Sequence, residues 1–475
     1  MSTLSFTKIE TRGSKEYAYE ITSYWDKEKG MPRQKKRYLG RVIDRKKKKY
    51  QKKVPQKAEK LIVDFGDSFL LEQFFEDNGL ADLLKDVFCD YKELIRVLVY
   101  YRLCYPSAMR YLSLWYDGNF SSIKYPDIKV SSQRTSDFLR TLGTETLQRA
   151  FFAAYIPRFL ENNKGIIIDA TSLPNQIHMP LTAWGRSGEE IDKQIRFLLV
   201  VDKNSEEPLF FRHYAGNIVD VSTLKTTIDE LKVYGIKETY IYLDAGYFSE
   251  DNINDLYTSR MSFLTRLPSI RVLYKELIKK YVDSLEKYEN MVRYGKRGLF
   301  IKQTNVELFG KKAYAHIVLD PQRKGRETNK LVINVADEKE KSIDELEYML
   351  KTRGIMILVS SFAMKKEEVV PAYYIRQTAE KMFGFSKDDL NMLPLRVHNE
   401  ETLRGLLFLQ FIALIAYTRL KKKIGKTYTV EETLLAMRNL KAKVYDKELL
   451  VSELTKQQKQ ICEKLGIIVP KNLGI

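Results

Sequence analysis

Gly165-Ile-Ile-Ile-Asp169 is a short β-branched run that ends in a carboxylate. A continuous apolar run of this length is typical of a strand that is buried on both faces of a sheet. Two more strand candidates follow at 196–202 and 208–213, joined by the turn-like residues 203–207. The stretch therefore predicts three successive strands of one sheet.

Beyond these strands the apolar pattern alternates between helix and strand. Residues 222–234 predict a helix, and Thr239-Tyr-Ile-Tyr-Leu-Asp244 predicts a strand that again ends in an acid. A helix that opens at Ser249 and a strand at 261–266 complete the order β-β-β-α-β-α-β. In the ribonuclease-H-like fold the first and fourth strands are neighbours. The order therefore predicts an α/β protein with a ribonuclease-H-like core, in which Asp169 and Asp244 lie side by side.

The charge of the chain is basic and unevenly placed. Lys and Arg total 80 against 62 Asp and Glu, which gives a formal net charge of +18, and residues 31–60 carry +12 of it. An excess of this size makes a polyanion the first partner to consider and disfavours a small neutral metabolite. The run of Arg45, Lys46, Lys47, Lys48 and Lys49 is interpreted either as an arm that neutralises phosphates or as a solvated charged face.

The cysteines and the apolar runs bear on the compartment. Cys89, Cys104 and Cys462 are far apart, which argues against a disulfide framework and a Cys-ligated zinc site. No signal-peptide core opens the sequence, and the longest apolar run, 405–417, is shorter than the ~20 residues that cross a bilayer. We interpret this run as a buried helix and predict a cytoplasmic, nucleoid-associated protein without a membrane partner.

Four polar residues in the second half of the chain share a helical spacing: Tyr373, Arg376, Glu380 and Lys387. At ~100° per residue, one continuous helix would place them within an arc of ~60°. Gly384 stands between the last two, and helices often end at glycine, so the place of Lys387 depends on how far the helix extends. Taken alone, Arg376 and Glu380 would be interpreted as a surface i,i+4 salt bridge.

The spacing Tyr-x2-Arg-x3-Glu-x6-Lys, after two acids at strand ends, resembles the signature of bacterial insertion-sequence transposases of the DDE class. Ile-Ile-Ile-Asp169-Ala-Thr-Ser is similar to the first-acid motif of these enzymes, and Tyr-Leu-Asp244-Ala-Gly-Tyr is similar to the second. The likeness spans roughly residues 160 to 425. It implies that Asp169, Asp244 and Glu380 are the catalytic, metal-binding acids. It also implies that Tyr373, Arg376 and Lys387 contact DNA.

The chemistry of these residue types agrees with that resemblance. Phosphodiester cleavage and strand transfer are served by two divalent ions ~3.5–4 Å apart, and three carboxylates suffice to hold them. Oxygen ligands suit Mg²⁺, whereas the chain has only 4 His and none paired at ligand spacing, which weighs against zinc. We therefore expect two Mg²⁺ ions at this site, with Mn²⁺ able to substitute.

The expected partner is double-stranded DNA, both the terminal inverted repeats of the element and its target. A homodimer is expected because two element ends must be joined in one complex. Six segments are predicted: a basic β-rich N-terminal arm (1–60), a helical DNA-binding region (61–162), the first part of the catalytic core (163–270), a β-rich insertion (271–350), the second part of the core (351–425) and a helical C-terminal region (426–475).

Other interpretations stay open at this level. Asp169 before Ala-Thr-Ser could be a helix cap, and Asp244 before Ala-Gly could be an ordinary turn residue. A DNA-binding protein descended from a transposase, without cleavage, would keep most of the pattern. A structure-specific nuclease with the same core and no strand transfer would keep all of it. The favoured prediction is a transposase that binds, cleaves and transfers the ends of its element.

Overall fold

The computed structural model describes residues 4–13, 15–26, 30–51, 61–160, 165–187, 190–334, 342–446 and 448–474. The chain divides into two compact units. The first comprises Met1–Leu61 with Val444–Glu448 and Gly474, and the second comprises Ile62–Lys443, Leu449–Leu473 and Ile475. Residues 52–60 of the predicted basic arm lie outside the described residues.

The first unit contains an antiparallel sheet with the order β1-β2-β3-β4. Its strands are β1 (Leu4–Arg12), β2 (Lys15–Asp26), β3 (Met31–Asp44) and β4 (Lys49–Gln51). Ala18 and Ile21 of β2 are buried, while most of β3 is exposed. The described residues of the predicted β-rich arm therefore lie mostly in strands.

The segment from 61 to 160 is mostly helical, as its apolar spacing predicted. After the strand β5 (Leu61–Asp64) come eight helices: α1 (Gly66–Asp77), α2 (Leu80–Phe88), α3 (Lys92–Cys104), α4 (Leu112–Asp117), α5 (Phe120–Lys124), α6 (Ser132–Leu142), α7 (Glu145–Tyr155) and α8 (Pro157–Leu160). Phe88 and Phe151, on α2 and α7, pack against Phe408. These rings join the helical layer to the long helix described below.

A ten-stranded sheet forms the centre of the second unit. Its strands are β6 (Ile166–Pro174), β7 (Ala183–Ser187), β8 (Glu190–Asp202), β9 (Pro208–Ala215), β10 (Tyr240–Leu243), β11 (Ser262–Arg266), β12 (Met291–Tyr294), β13 (Arg297–Leu308), β14 (Lys311–Leu319) and β15 (Ile355–Ser360). Their order is β12-β13-β14-β15-β11-β10-β6-β8-β7, with β9 also paired to β8. β10 runs parallel to both β6 and β11. The predicted strands at 196–202, 208–213, 239–244 and 261–266 are confirmed, and β7 is a strand that the sequence did not reveal.

The strands within residues 271–350, which were predicted as an insertion subdomain, belong to the central sheet. β12, β13 and β14 extend the central sheet, because β14 pairs along the free edge of β15. Ile317 and Ile357, which face each other in this pair, are fully buried. Pairing at this edge satisfies the backbone groups of β15 and buries apolar side chains, which explains the continuation.

Ten further helices complete the second unit: α9 (Leu224–Val233), α10 (Glu250–Thr258), α11 (Val272–Tyr281), α12 (Pro321–Asn334), α13 (Ile343–Thr352), α14 (Lys366–Tyr374), α15 (Gln377–Gly384), α16 (Glu400–Ile424), α17 (Val430–Arg438) and α18 (Lys456–Leu465). Among the described residues, α16 alone is long and apolar enough to cross a membrane, and most of its apolar stretch is buried inside the protein. The predicted buried helix at 405–417 is thus confirmed.

The C-terminal region combines helices with short strands that the sequence did not reveal. Residues 426–475 contain α17 and α18 together with β16 (Lys441–Val444), β17 (Glu448–Val451) and β18 (Asn472–Gly474). These strands belong to a sheet with the order β18-β17-β16-β5. Strands of three or four residues are too short for a two-residue period to be recognised. Their partner β5 is distant in the sequence, so no local pattern indicated the pairing.

Candidate active site

Two acids stand on neighbouring parallel strands of the central sheet. Asp169 is the fourth residue of β6, and Asp244 directly follows β10. Ile166 pairs with Ile241, so each acid lies three residues beyond a paired position. Adjacent strands are about 4.8 Å apart, and equal offsets in parallel strands place side chains at the same level. The sheet therefore brings the two carboxylates together, as the strand order predicted.

The two carboxylates differ in burial. The Asp169 side chain is 12% exposed and that of Asp244 is 41% exposed. Burial raises the pKa of the Asp169 carboxyl to about 7, the Arg376 guanidinium opposes this shift, and the nearby Asp244 and Glu380 carboxylates add to it. Removing a carboxylate from water favours its neutral form, and a second negative charge acts in the same direction. A nearby positive charge is therefore needed to keep the buried Asp169 carboxyl ionised.

The third acid stands on a helix that is interrupted. The predicted continuous helix through Tyr373, Arg376, Glu380 and Lys387 is wrong, since α14 ends at Tyr374 and α15 begins at Gln377. Pro371 inside α14 has no N–H to donate. At the break, the Arg376 N–H donates to the carbonyl of Tyr373, three residues earlier, as in a 3₁₀ turn. Arg376 keeps right-handed backbone angles, so α15 still directs Glu380 towards the strand ends.

Arg376 lies at the centre of the three acids. Its guanidinium is 3.0 Å from an Asp169 oxygen, 3.0 Å from a Glu380 oxygen and 3.8 Å from an Asp244 oxygen. Burial alone would lower the pKa of Arg376, but the three carboxylates, with Asp169 foremost, raise it. We call Asp169, Asp244, Glu380 and Arg376 the acid cluster. One positive charge faces three carboxylates there, so the cluster has room in its charge balance for further cations.

Tyr373 holds one of these acids. Its hydroxyl donates a hydrogen bond to the Asp244 carboxylate at 3.2 Å, and its ring lies 5.7 Å from the Arg376 guanidinium. Burial raises the pKa of the Tyr373 phenol to about 12, and the Asp244 carboxylate acts in the same direction. The phenol therefore stays protonated at neutral pH and is a fixed donor to Asp244.

Lys387 lies beside the acid cluster without joining it. The chain continues past Gly384 as a π-helical turn, Phe385–Asp389, so the helix does not end at the glycine. The Lys387 ammonium donates to the Thr171 hydroxyl at 2.7 Å and to the Ser172 carbonyl at 3.0 Å. Thr171 is two residues beyond Asp169 and on the same face of β6. Burial lowers the pKa of Lys387, and the Asp388 carboxylate opposes that shift.

Three charged residues near the cluster were not singled out as site residues by the sequence. Arg196 donates to the Ser172 hydroxyl at 2.9 Å and forms an ion pair with Asp220. Arg266 ends β11, one residue beyond the Leu243–Thr265 pair, and thus lies level with Asp244. The sequence could have indicated Arg266, because it is a charged residue at the end of a predicted strand. Only the β6–β8 pairing places Arg196 beside Ser172.

The basic run lies in the first unit. The turn between β3 and β4 consists of Arg45, Lys46, Lys47 and Lys48, and Lys49 begins β4; all five side chains are exposed. The Asp44 carboxylate accepts hydrogen bonds from the backbone N–H groups of Lys46 and Lys47, which shapes the turn. The exposure is consistent both with a phosphate-binding arm and with a solvated charged face.

The acid cluster offers carboxylate oxygens as possible ligands for a cation. Among the described residues, no group of three or more His, Cys, Asp or Glu side chains is arranged to hold a metal ion. The guanidinium of Arg376 stands between the carboxylates instead. By donor type, two Asp and one Glu fit a hard divalent cation. The three carboxylates therefore suit a divalent cation by ligand type. In this structure the guanidinium of Arg376 supplies the positive charge between them.

Comparisons with known proteins concern the family of the chain. The family model described as "Transposase DDE domain" matches residues 162–416. No curated protein matches the chain. A solved structure of the piggyBac transposase synaptic complex with hairpin DNA is 11% identical, covers 73% of this chain and 69% of its own, and has a TM-score of 0.40. The Mos1 transposase paired-end complex with the left transposon end is 10% identical, covers 45% of this chain and 62% of its own, and has a TM-score of 0.16.

At such low identity and TM-score, the two solved structures carry no weight for the activity of this chain. The family model is different, because it spans more than half of the 475 residues and contains all three acids of the cluster. The chain belongs to the DDE transposase family.

Proposed function

We propose that the protein is a DNA transposase that binds the terminal inverted repeats of its insertion sequence and catalyses metal-dependent cleavage and strand transfer. The observation that carries the proposal is the convergence of Asp169, Asp244 and Glu380 on the Arg376 guanidinium. These acids come from two strands and a helix that are up to 211 residues apart in the chain. An ordinary surface salt bridge joins two side chains and does not require acids from two strands and a helix to meet at one guanidinium.

The arrangement of strands supports a ribonuclease-H-like core as part of this proposal. Three strands form the antiparallel meander β6-β8-β9, and β10 and β11 follow on the other side of β6 as parallel neighbours. The spatial order of these strands is β9-β8-β6-β10-β11. It places the first and fourth strands side by side.

Asp169, Asp244 and Glu380 would hold Mg²⁺, or Mn²⁺ in its place, and two ions are the number that this class of reaction uses. When bound, divalent ions activate the attacking oxygen and stabilise the leaving oxygen of a phosphodiester. Tyr373 keeps the Asp244 carboxylate in place through its hydrogen bond. When no metal ion is bound, Arg376 offsets part of the negative charge of the three acids. Its planar guanidinium also suits a DNA phosphate.

The partner in this proposal is double-stranded DNA, as element ends and as target. Lys387 would act as a point charge beside the acid cluster, and the exposed basic turn at 45–49 would neutralise backbone phosphates elsewhere on the DNA. A homodimer would join the two ends, because a symmetric pair of subunits offers each end one acid cluster. These roles would place the protein with the nucleoid in the cytoplasm.

The experiment is a cleavage and strand-transfer assay on the DNA that flanks the gene, with Mg²⁺ and with chelator. We expect Asp169→Asn, Asp244→Asn and Glu380→Gln each to lower cleavage by at least ~100-fold, since an amide is a poorer ligand for a hard cation. End binding, measured by gel shift, is expected to persist in all three. Asp255→Asn, which removes a surface carboxylate paired to Lys225, is the matched control.

Two outcomes would favour the other functions. Wild-type protein that binds ends but never cleaves them would indicate a transposase-derived DNA-binding protein. Metal-dependent cleavage without any joining to target DNA would indicate a structure-specific nuclease. Near wild-type cleavage by any one of the three variants would remove that acid from the site.

A further inference from the structure

A second charged region of the second unit is a cavity of about 800 Å³ between α3, α6 and residues 391–399. We call it the arginine cavity, after the side chains that line it: Arg102, Arg110, Arg140, Arg396 and also His398. No Asp or Glu occurs among the described residues of its lining. Its volume is in the range of sites for small ligands. A cavity with this charge is suited to an anion.

Arg102 is the least expected member of this set. It is 4% exposed, one of its terminal nitrogens donates to the Ser107 carbonyl at 3.0 Å, and none of the described residues accepts a hydrogen bond from its Nε. Burial lowers the pKa of Arg102 to about 10, Tyr101 opposes the shift, and the positive charge of Arg396 adds to it. The guanidinium is therefore still charged at neutral pH. A buried charge without a counter-ion is strongly unfavourable.

The charge balance of the cavity is one-sided. Arg102 is 4% exposed, and no carboxylate occurs among the described residues of the cavity lining to offset its charge. A water molecule could fill part of the cavity, but it could not supply the missing negative charge. The lining therefore points to an anionic ligand with several acceptor oxygens.

The other arginines are placed to receive the same ligand. Arg396 is exposed at the cavity, and the described residues offer it no carboxylate within salt-bridge distance. Arg110 donates to the Tyr111 hydroxyl at 2.6 Å, and Arg140 has a 3.6 Å ion pair with Asp137. A guanidinium group can donate two parallel hydrogen bonds to two oxygens of one phosphate. Apolar side chains such as Leu139 and Leu406 also line the cavity, as a nucleotide-sized ligand requires.

We propose that the arginine cavity is a phosphate-binding site, in which Arg102 and Arg396 hold the phosphate of a nucleotide. The phosphate chemistry follows from the cavity alone. Its assignment to a phosphate of the DNA strand, rather than to a free nucleotide, rests on the proposed function.

The first test measures thermal unfolding of the full chain at constant ionic strength, with pyrophosphate and with deoxyadenosine monophosphate as probes. Saturating ligand is expected to raise the Tm of the wild type by a few degrees, because it binds only the folded state. Arg102→Gln and Arg396→Gln are expected to lose most of that rise. Arg326→Gln, which removes an exposed arginine of α12 outside the cavity, is the matched control and should retain it.

Arg102→Gln also has an expected effect without any ligand. Because it removes an unpaired buried charge, its Tm should equal or exceed that of the wild type under low-phosphate conditions. If this variant does not fold, Arg396→Gln still decides the question, since Arg396 is exposed and its loss leaves the packing unchanged.

The second test measures the affinity of the same four proteins for a labelled DNA duplex by fluorescence anisotropy. A fivefold or greater loss in both cavity variants relative to Arg326→Gln would assign the phosphate to DNA. A Tm response to the nucleotide with unchanged duplex affinity would assign it to a free nucleotide. If pyrophosphate, the nucleotide and the duplex act alike on all four proteins, the proposal is wrong. Neither test uses cleavage, so failure of the proposed function would not be mistaken for failure of this one.

Discussion

The acid cluster and the arginine cavity bury charge in opposite ways. In the acid cluster, three carboxylates surround the guanidinium of Arg376, so each charge has a partner within the chain. In the arginine cavity, Arg102 is more deeply buried than Arg376, yet no carboxylate lines the site among the described residues. The comparison teaches that a buried guanidinium can be compensated by carboxylates of its own chain or, as we propose for the arginine cavity, by a bound anion.

Removing the central cation should disrupt the acid cluster most strongly. We expect Arg376→Gln to lower the free energy of unfolding by about 3 kcal/mol at pH 8 in chelator, because Asp169 is left buried beside other carboxylates. Millimolar Mg²⁺ should restore part of the loss, since a divalent cation can replace the missing charge. Urea denaturation with and without Mg²⁺ measures both effects.

The matched control for Arg376 is Arg419, which forms an equally buried ion pair with Glu207 at 2.8 Å. Arg419→Gln should also destabilise the protein, but without any rescue by Mg²⁺. Equal responses of the two variants to Mg²⁺ would contradict the interpretation of the acid cluster as a cation site.

His316 provides a third way to bury a titratable group, which is to keep it neutral. It is 1% exposed, its Nδ1 lies 3.0 Å from the Gln303 amide, and its Nε2 lies 2.9 Å from the Ser360 hydroxyl. Burial lowers the pKa of His316 to about 4, below its usual value of 6.5. The unfolded state therefore binds the proton first, so stability is complete above pH 6.5 and is lost as the pH falls towards 4.

From these pKa values, His316 should lower the free energy of unfolding by about 2 kcal/mol at pH 5 relative to pH 7.5. Urea denaturation at the two pH values should show that His316→Gln removes this part of the pH dependence. His178→Gln, which removes an exposed imidazole, controls for the loss of a histidine. The same pH dependence in the wild type and in His316→Gln would show that charge is tolerated at this buried position.

The exposed basic turn should show the smallest effect, because its charges are already solvated. Replacing Lys46, Lys47, Lys48 and Lys49 by Gln is expected to weaken duplex binding about tenfold and to reduce the log–log salt slope by up to ~4 units. Titrations at several salt concentrations measure this slope. The control replaces four exposed lysines of another segment, namely Lys275, Lys279, Lys280 and Lys287. An unchanged slope in the Lys46–Lys49 variant would indicate that the turn is only a solvated face.

Much of the acid cluster could be predicted because its parts are local. The apolar runs before Asp169 and Asp244 are short and continuous, β-branched in the first case and rich in tyrosine in the second, and they predicted strands that end in acids. Arg376 and Glu380 kept their spacing even though the helix breaks, because the residues at the break retain right-handed backbone angles. The assignment of these residues to catalysis, and the six segment boundaries, remain predictions.

Other features could not be predicted because their partners are distant in the sequence. β12–β14 extend the central sheet because the edge of β15 is free, which no local pattern reveals. The C-terminal strands depend in the same way on β5. Arg102 resembles any arginine in the last turn of an amphipathic helix, until residues 391–402 cover it.

The sequence by itself determined the order of strands and helices, the placement of acids at strand ends and the spacing of Tyr373, Arg376 and Glu380. These depend on backbone preferences and on apolar periodicity, which act over a few residues. Only the tertiary structure decided which charges are compensated. Whether a buried charge has a counter-ion depends on segments hundreds of residues away, as Arg376 among its carboxylates and Arg102 without one demonstrate.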